Sequence, residues 1–400
     1  MGKKKNNVVF KRHLFWNYFY RPIVHLMAFF QGYKVKSHFK MKKGQSYIVL
    51  SNHQGGLDGL FLPLSFSRHL YGVLTDSFLS KGWVAKMFKH QLGIIGKKKG
   101  AVDVAANMEM MRVIREGGSL LIFPEGNRSY AEFQFTLTDG FAKFVRFFKK
   151  PIVLFNLHGG AGVDPRFGKK RRKGPFYGEV KRVLEPSEYQ DWSDEKLYEV
   201  ISENLKVYDS ASGDLYKSNE KAEYLERMFF ICPKCGKLET LYSKGNYLYC
   251  KNCGLKVEYT ENLHFKSDDP EFKFERLVDW YNFQIRYIRD HEFKGEIFKE
   301  GDAKLFISHP GKKRELIAKG NVILTDNFLK FPGKTIDIHE IEIASPINGT
   351  NFNFSTKNED YLVMGNERFN PLKFVLMFNK LDTQMKLKNA DVYYNLVERS

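Results

Sequence analysis

The chain has 400 residues, which at about 150 residues per domain suggests two or three domains. Hydrophobic residues make up 43% and aromatics 15%, enough for packed cores, and this excludes a wholly disordered or low-complexity chain. Lysine and arginine number 64 against 46 acids, a net charge of +18 that favours a polyanion: nucleic acid, anionic lipid headgroups or a phosphorylated substrate.

Position narrows that choice. No Asp or Glu precedes Asp58, whereas Lys3, Lys4, Lys5, Lys11, Arg12, Arg21, Lys34, Lys36, Lys40, Lys42 and Lys43 all do. Between these cations, residues 14–33 are crowded with Phe15, Trp16, Tyr18, Phe19, Tyr20, Ile23, Leu26, Met27, Phe29 and Phe30. Arg21, Pro22 and His25 interrupt the run, which argues against both a secretory signal and a spanning helix. The composition of residues 1–33 suits an amphipathic helix or helix pair lying in the membrane interface. A helix buried against its own domain is the alternative. Met1-Gly2 is a poor myristoylation signal, because Asn6 stands where Ser or Thr is wanted.

Residues 34–208 alternate short apolar runs with helical spacing. Ile48-Val49-Leu50-Ser51, Tyr71-Gly72-Val73-Leu74, Leu120-Leu121-Ile122-Phe123 and Ile152-Val153-Leu154-Phe155 read as buried strands. Residues 83–92, 102–115 and 141–148 read as helices, and residues 193–208 as a closing helix with Ser193 as N-cap. This alternation predicts an α/β domain with a parallel or mixed sheet. A polar linker is expected at 209–227, a cysteine-bearing module at 228–262 and a helical connector at 263–295. From residue 296 to 400 short β-rich pieces recur between turn signals, closed by a helix over 371–385. That tail resembles a pleckstrin-homology-like fold in outline only, and no binding function follows from it.

Two strand ends carry the chemistry. In Ser51-Asn52-His53-Gln54-Gly55-Gly56-Leu57-Asp58 a histidine leaves a strand and a carboxylate follows five positions later. One continuous helix would rotate Asp58 about 140° away from His53, but a strand–turn–helix lets the chain fold back. A carboxylate on one ring nitrogen fixes the tautomer and leaves the other nitrogen as a base. Otherwise Asp58 simply caps the next helix. The second strand end is Phe123-Pro124-Glu125-Gly126-Asn127-Arg128-Ser129, where glycine permits close backbone approach and Arg128 offers a planar fork suited to phosphate.

In this order the two blocks resemble the glycerolipid acyltransferase family, which includes the 1-acylglycerol-3-phosphate acyltransferases. Gly140, Pro151-Ile152-Val153 and residues 178–186 add to the match, which covers residues 20–208. The resemblance implies that His53 and Asp58 form a dyad that deprotonates a hydroxyl of a lysophosphatidic-acid-like acceptor. That hydroxyl then attacks the thioester of acyl-CoA or acyl carrier protein. It also places Glu125, Gly126 and Arg128 in the acceptor-binding block, with a phosphatidic-acid-type product. Asn127 departs from the family's Thr. The intermediate block reads Gly93-Ile94-Ile95-Gly96-Lys97-Lys98-Lys99 and lacks the family's Arg, so Lys98 or Lys99 is expected to supply the phosphate's cation. The implied place is the cytoplasmic face of a membrane, peripheral or monotopic. A second basic run, Lys169-Lys170-Arg171-Arg172-Lys173, reads either as a contact for anionic lipid or acidic carrier protein or as a solvated loop.

All four cysteines fall in Cys232-Pro233-Lys234-Cys235-Gly236 and Cys250-Lys251-Asn252-Cys253-Gly254, with 14 residues between the inner pair. Two such turns supply four thiolates to one ion, a closed and structural zinc ribbon in a reducing compartment. Zinc ribbon and net charge also permit a nucleic-acid-binding protein, and a catalytically silent lipid-binding scaffold is a third possibility. Against nucleic acid, the positive charge gathers in the N-terminal segment and in loops of the α/β domain rather than around the ribbon.

Overall fold

The computed structural model describes residues 8–75, 89–97, 103–130, 132, 137, 140–308, 314–347 and 349–381. It divides into two units, Met1–Val163 with Lys173–Ser212, and Asp164–Arg172 with Gly213–Ser400.

The first unit is built on a seven-stranded sheet: β1 (Tyr33–Val35), β2 (Ile48–Ser51), β3 (Leu70–Thr75), β4 (Ile95–Lys97), β5 (Ser119–Ile122), β6 (Ile152–His158) and β7 (Phe176–Leu184), in the order β1-β7-β6-β2-β5-β3-β4. β6, β2, β5, β3 and β4 run parallel, β7 is antiparallel to β6, and β1 is parallel to β7. Every residue of β2 and β5 is buried, as expected of strands covered on both faces. Both therefore end at the same edge, and the two motifs that follow them meet there.

Six helices matter for this unit: α1 (Val8–Phe15), α2 (Arg21–Phe30), α3 (Asp58–Phe61), α4 (Val104–Arg115), α5 (Phe141–Phe147) and α6 (Asp194–Leu205). Leu50, Ile122 and Leu154 share one core with Met110, Val113, Val145, Leu197 and Ile201 from α4, α5 and α6. Capping sets where these helices begin. Asp103 accepts from the Ala106 amide at 3.0 Å, and Ser193 from the Lys196 amide at 3.1 Å. The closing helix stops at Leu205, short of 208: Lys206 is extended and Val207 is buried in the site described below.

At the N-terminus, α1 and α2 are joined by a π-helical turn, Trp16–Tyr20. Trp16, Tyr20, Val24 and Ala28, every fourth residue, are buried. Arg21 anchors the helix by donating to the carbonyls of Phe66 at 2.7 Å and Leu64 at 3.0 Å. The residue that breaks the apolar run is thus a tether. Tyr18, Phe19, Ile23, Leu26, Met27, Phe29 and Phe30 remain exposed on the other side, Phe29 at 76% and Phe30 at 74%. Burial against the domain and an outward apolar face therefore occur in one segment. Among the described residues no helix is long and apolar enough to cross a membrane.

The second unit holds two antiparallel sheets. The smaller joins β8 (Leu241–Lys244), β9 (Tyr247–Cys250), β10 (Lys256–Tyr259) and β11 (Phe265–Lys266) in the order β11-β10-β9-β8. The larger joins β12 (Glu296–Ser308), β13 (Glu315–Thr325), β14 (Phe328–Phe331), β15 (Lys334–Asp337), β16 (Ile341–Ile347), β17 (Asn351–Thr356) and β18 (Asp360–Met364) in the order β15-β14-β13-β12-β18-β17-β16. Two helices complete the unit: α7 (Leu277–Asp290), which packs on the cysteine module, and α8 (Pro371–Leu381), buried along nearly its whole length.

Three expectations change. The stretch 209–227 is no free linker, since Asp209, Ser210, Ala222 and Leu225 are buried. The connector helix starts at Leu277 and packs into the core of the cysteine module: Trp280 stacks on Phe229 at 4.5 Å, and Gln284 bonds the backbone of Met228 and Phe230. The cysteine module, the connector and the β-rich segment fall in one unit. The basic run is only partly a solvated loop: Lys169, Lys170 and Lys173 are exposed, whereas Arg171 is half-buried and Arg172 buried. Lys169 pairs with Glu367, Lys170 with Glu220 and Arg171 with Asp164, while Arg172 is buried and donates to the Lys221 carbonyl at 2.5 Å. These cations tie residues 164–172 into the second unit.

Candidate active site and four-cysteine centre

The site grows out of the end of β2. One residue past the strand, the Asn52 side chain both donates to the Leu157 carbonyl and accepts from the Leu157 amide, each at 2.8 Å. It thereby imitates a further rung of the sheet and fixes where His53 leaves it. The chain then turns so that Asp58 opens α3 with no solvent exposure. One carboxylate oxygen, Oδ2, accepts from His53 Nδ1 at 3.0 Å and from the amides of Gln54 and Gly55 at 2.8 Å each. Three donors on one oxygen compensate its burial and lock the imidazole's orientation. Gly55 is required by contact rather than by backbone angle, because a Cβ there would lie 2.6 Å from Asp58 Oδ1.

The end of β5 laces onto the same turn. Phe123 stacks on the His53 ring at 4.4 Å and 25°. Glu125, buried, accepts from the His53 amide at 3.0 Å, Ser129 donates its amide to the His53 carbonyl at 2.8 Å, and Arg128 Nε donates to the Gln54 carbonyl at 2.7 Å. Gly126 takes a φ of +64°, which lets the chain turn back between Glu125 and Arg128. Glu125 and Arg128, expected to hold the acceptor, thus bond the backbone of the turn at His53 and Gln54.

A second buried carboxylate lies behind the turn, in the stretch expected to be a polar linker. Asp209 accepts from the amides of Gly159 at 2.7 Å, Ala161 at 3.1 Å and Gly162 at 3.4 Å. Burial pushes its carboxyl up to about 6 despite those amides, and the charge of Asp58 adds to the rise. Gln54 Nε2 donates to the Val207 carbonyl at 2.9 Å, and the Ser210 amide donates to Glu132 at 2.7 Å. Asn52, Gln54, Phe123, Ser129 and Asp209 were not assigned roles from sequence. Asn52, Gln54, Phe123 and Ser129 at least stand inside or beside the two motifs; Asp209 carries no such local signal. Lys98 and Lys99 lie outside the described residues, and Lys97 ends β4 exposed.

In the second unit Cys232, Cys235, Cys250 and Cys253 converge with all sulfurs within 4.8 Å of one another. The Cys232–Cys253 pair is 3.6 Å apart and the Cys235–Cys250 pair 3.8 Å, far beyond a disulfide bond. A tetrahedral ion with metal–sulfur bonds of about 2.3 Å sets its sulfurs about 3.8 Å apart, so the donor set fits one metal ion. Both turns close identically: the Gly236 amide donates to the Cys232 carbonyl and the Gly254 amide to the Cys250 carbonyl, each glycine with positive φ.

Residues 32–155 match the family model described as Acyltransferase. The matched segment contains both strand ends. Among known proteins, one from Mycoplasma pneumoniae (strain ATCC 29342 / M129 / Subtype 1), described as a probable 1-acyl-sn-glycerol-3-phosphate acyltransferase, is 31% identical over 90 residues, 21% of this chain and 34% of that protein. The match thus spans about a third of that relative's length. The crystal structure of the 1-acyl-sn-glycerophosphate (LPA) acyltransferase from Thermotoga maritima aligns at a TM-score of 0.39 and 17% identity, covering 50% of this chain and 90% of that one.

Proposed function

We propose that this protein transfers a fatty acyl group from a thioester, acyl-CoA or acyl carrier protein, to a hydroxyl of a lysophosphatidic-acid-like glycerolipid. The observation that carries the reading is the 3.0 Å bond between His53 Nδ1 and the buried Asp58 carboxylate, at a strand end within the acyltransferase-family segment. Asp58 holds the Nδ1–H tautomer, so Nε2 is the basic nitrogen. Nε2 takes the acceptor's hydroxyl proton as that oxygen attacks the thioester carbonyl. The tetrahedral adduct collapses with cleavage of the C–S bond, and the imidazolium returns its proton to the departing thiolate. The products are the ester and the free thiol, with His53 neutral again. Arg128 and a lysine of the Lys97–Lys99 run are the cations proposed for the acceptor's phosphate.

The outward aromatic face of α2, together with the cationic N-terminal segment, supports docking on an anionic membrane surface from the cytoplasmic side. The four cysteines would hold zinc; a bound ion would neutralise the thiolates and pin the two turns together, with no part in acyl transfer. The β-rich segment after it is read as pleckstrin-homology-like in outline.

The test is direct. Purified protein is incubated with labelled acyl donor and a panel of lyso-acceptors, and products are identified by mass spectrometry. His53→Ala should abolish transfer, and Asp58→Asn should cost less, since the imidazole remains. Full activity of His53→Ala would sink the reading.

A further inference from the structure

We infer that Asp209 is a positioning residue for the catalytic turn, acting from behind it through the 159–162 loop and Gln54. The inference rests on the acyl-transfer reading above and adds a residue that neither motif contains.

The geometry is continuous within the first unit. Asp209 gathers three amides of the loop that leaves β6, at Gly159, Ala161 and Gly162. The residue between them, Gly160, presses on the catalytic turn itself: a Cβ there would stand 3.0 Å from Gln54 Cβ and 3.1 Å from the Gly55 amide nitrogen. Those two residues supply the amides that hold Asp58 Oδ2. From the other side Gln54 is tied to the Val207 carbonyl, two residues before Asp209. Asp58 thus receives its ligands from a turn whose back wall is set by Asp209. If that wall moves, the Gln54 and Gly55 amides move, and the His53–Asp58 bond moves with them.

The chemistry of the group separates this role from simple packing. A fully buried carboxylate whose burial disfavours its ionised form is a poor device for stability alone. Asparagine has nearly the same size and no charge to desolvate. It offers one oxygen where two now serve three amides, and it turns N–H donors toward the remaining amides. Asp209→Asn should therefore keep the fold while displacing the loop.

The experiment compares wild type, Asp209→Asn, Gln54→Met and the double variant. Each is assayed for kcat and KM with acyl-CoA and lysophosphatidic acid, for thermal midpoint, and by proton NMR of the His53 Nδ1–H resonance. A displacement near 1 Å at a reacting group costs about 100-fold, so a smaller one should lower kcat about 10- to 100-fold in Asp209→Asn. KM for both substrates should stay within about twofold, as no substrate-binding group is removed. The Nδ1–H resonance should shift or broaden, and the midpoint should be no lower than wild type. The double variant should be little worse than the poorer single one, because both act through one wall. An unchanged kcat in Asp209→Asn overturns the inference, as does a loss of kcat accompanied by a lower midpoint. If wild type itself transfers no acyl group, the functional reading fails. The NMR arm still decides the inference in that case: an unmoved Nδ1–H resonance in Asp209→Asn refutes it.

Discussion

Substituting Gly55 by alanine adds one methyl group at a defined point of the dyad. The backbone there is not in the left-handed region, so alanine meets no torsional penalty and the effect is confined to its Cβ. That atom would sit 2.6 Å from Asp58 Oδ1, well inside van der Waals contact. Asp58 is fully buried and its Oδ2 is held by three donors, so relief requires the carboxylate to rotate away from His53 Nδ1. Losing one charge-assisted hydrogen bond costs about 1.5–3 kcal/mol. If it is lost from the transition state, that is a fall in kcat of about 10- to 150-fold at 1.36 kcal/mol per decade. KM should change little, because the methyl group faces the carboxylate. The assay is release of free thiol from acyl-CoA, followed by absorbance with a disulfide reagent, with circular dichroism as the check on folding. A Gly55→Ala protein with wild-type kcat and an intact fold would show that Asp58 does not act through its bond to His53.

Two further outcomes test the periphery. Replacing Phe29 and Phe30 together by Glu places two charges on the exposed face of α2 and leaves its buried stripe of Val24 and Ala28 untouched; flotation with anionic vesicles should be lost while the fold is retained, and unchanged flotation would move the membrane contact elsewhere. Metal analysis should find one zinc per chain, and a chelator should expose residues 232–236 and 250–254 to protease before the Phe229–Ile231 segment, which Trp280 and Gln284 hold without the ion.

The elements that carried a period were legible in the sequence. The apolar run 48–51 is a buried strand, the run 120–123 is one as far as Ile122, and the ends of the two strands place His53 beside Asp58 and Phe123 beside His53. The cysteine spacing likewise brings four sulfurs together, since each turn is a local structure closed by its own glycine. What escaped is long-range. Asp209 stands in a polar stretch, and only the return of residues 207–210 beneath the sheet edge, some 150 positions after Gln54, turns that polarity into a buried clamp. Arg172 misled for the mirror reason. A run of five cations reads as a solvated loop or a contact for anions, yet Arg172 is buried against the Lys221 carbonyl, and Glu220 and Glu367, which pair with Lys170 and Lys169, also lie far along the chain. Glu125 and Arg128 were assigned to substrate by motif, and their visible bonds go to the backbone of residues 53 and 54. Spacing gives the type of group at a position; its partner is set by the fold.

The buried pair of carboxylates gives a last quantitative test, through pH. Asp209 lies at an ordinary 3.8 when unfolded and is pushed up to about 6 in the folded chain, by burial first, with Asp58 opposing its ionisation and the Gly159, Gly162 and Ala161 amides favouring it. Glu132 bonds the neighbouring Ser210 amide, so a second carboxylate stands close by. A raised acid binds its proton more tightly in the folded state. Its contribution to stability is therefore fully present below about pH 4 and is lost as pH rises through about 6. A rise of this size corresponds to about 3 kcal/mol at 1.36 kcal/mol per pH decade. Other carboxylates titrate in the same window, so the informative quantity is a difference of differences. The stability of Asp209→Asn minus that of wild type should increase by about 2 kcal/mol between pH 4 and pH 7.5. Hydrogen exchange at the Val49 and Val153 amides in increasing urea would report it, since both lie in the central sheet of the first unit. A difference that stays flat across that range would mean that Asp209 is not strained by its burial, and the argument that this carboxylate is kept for positioning rather than for stability would lose its footing.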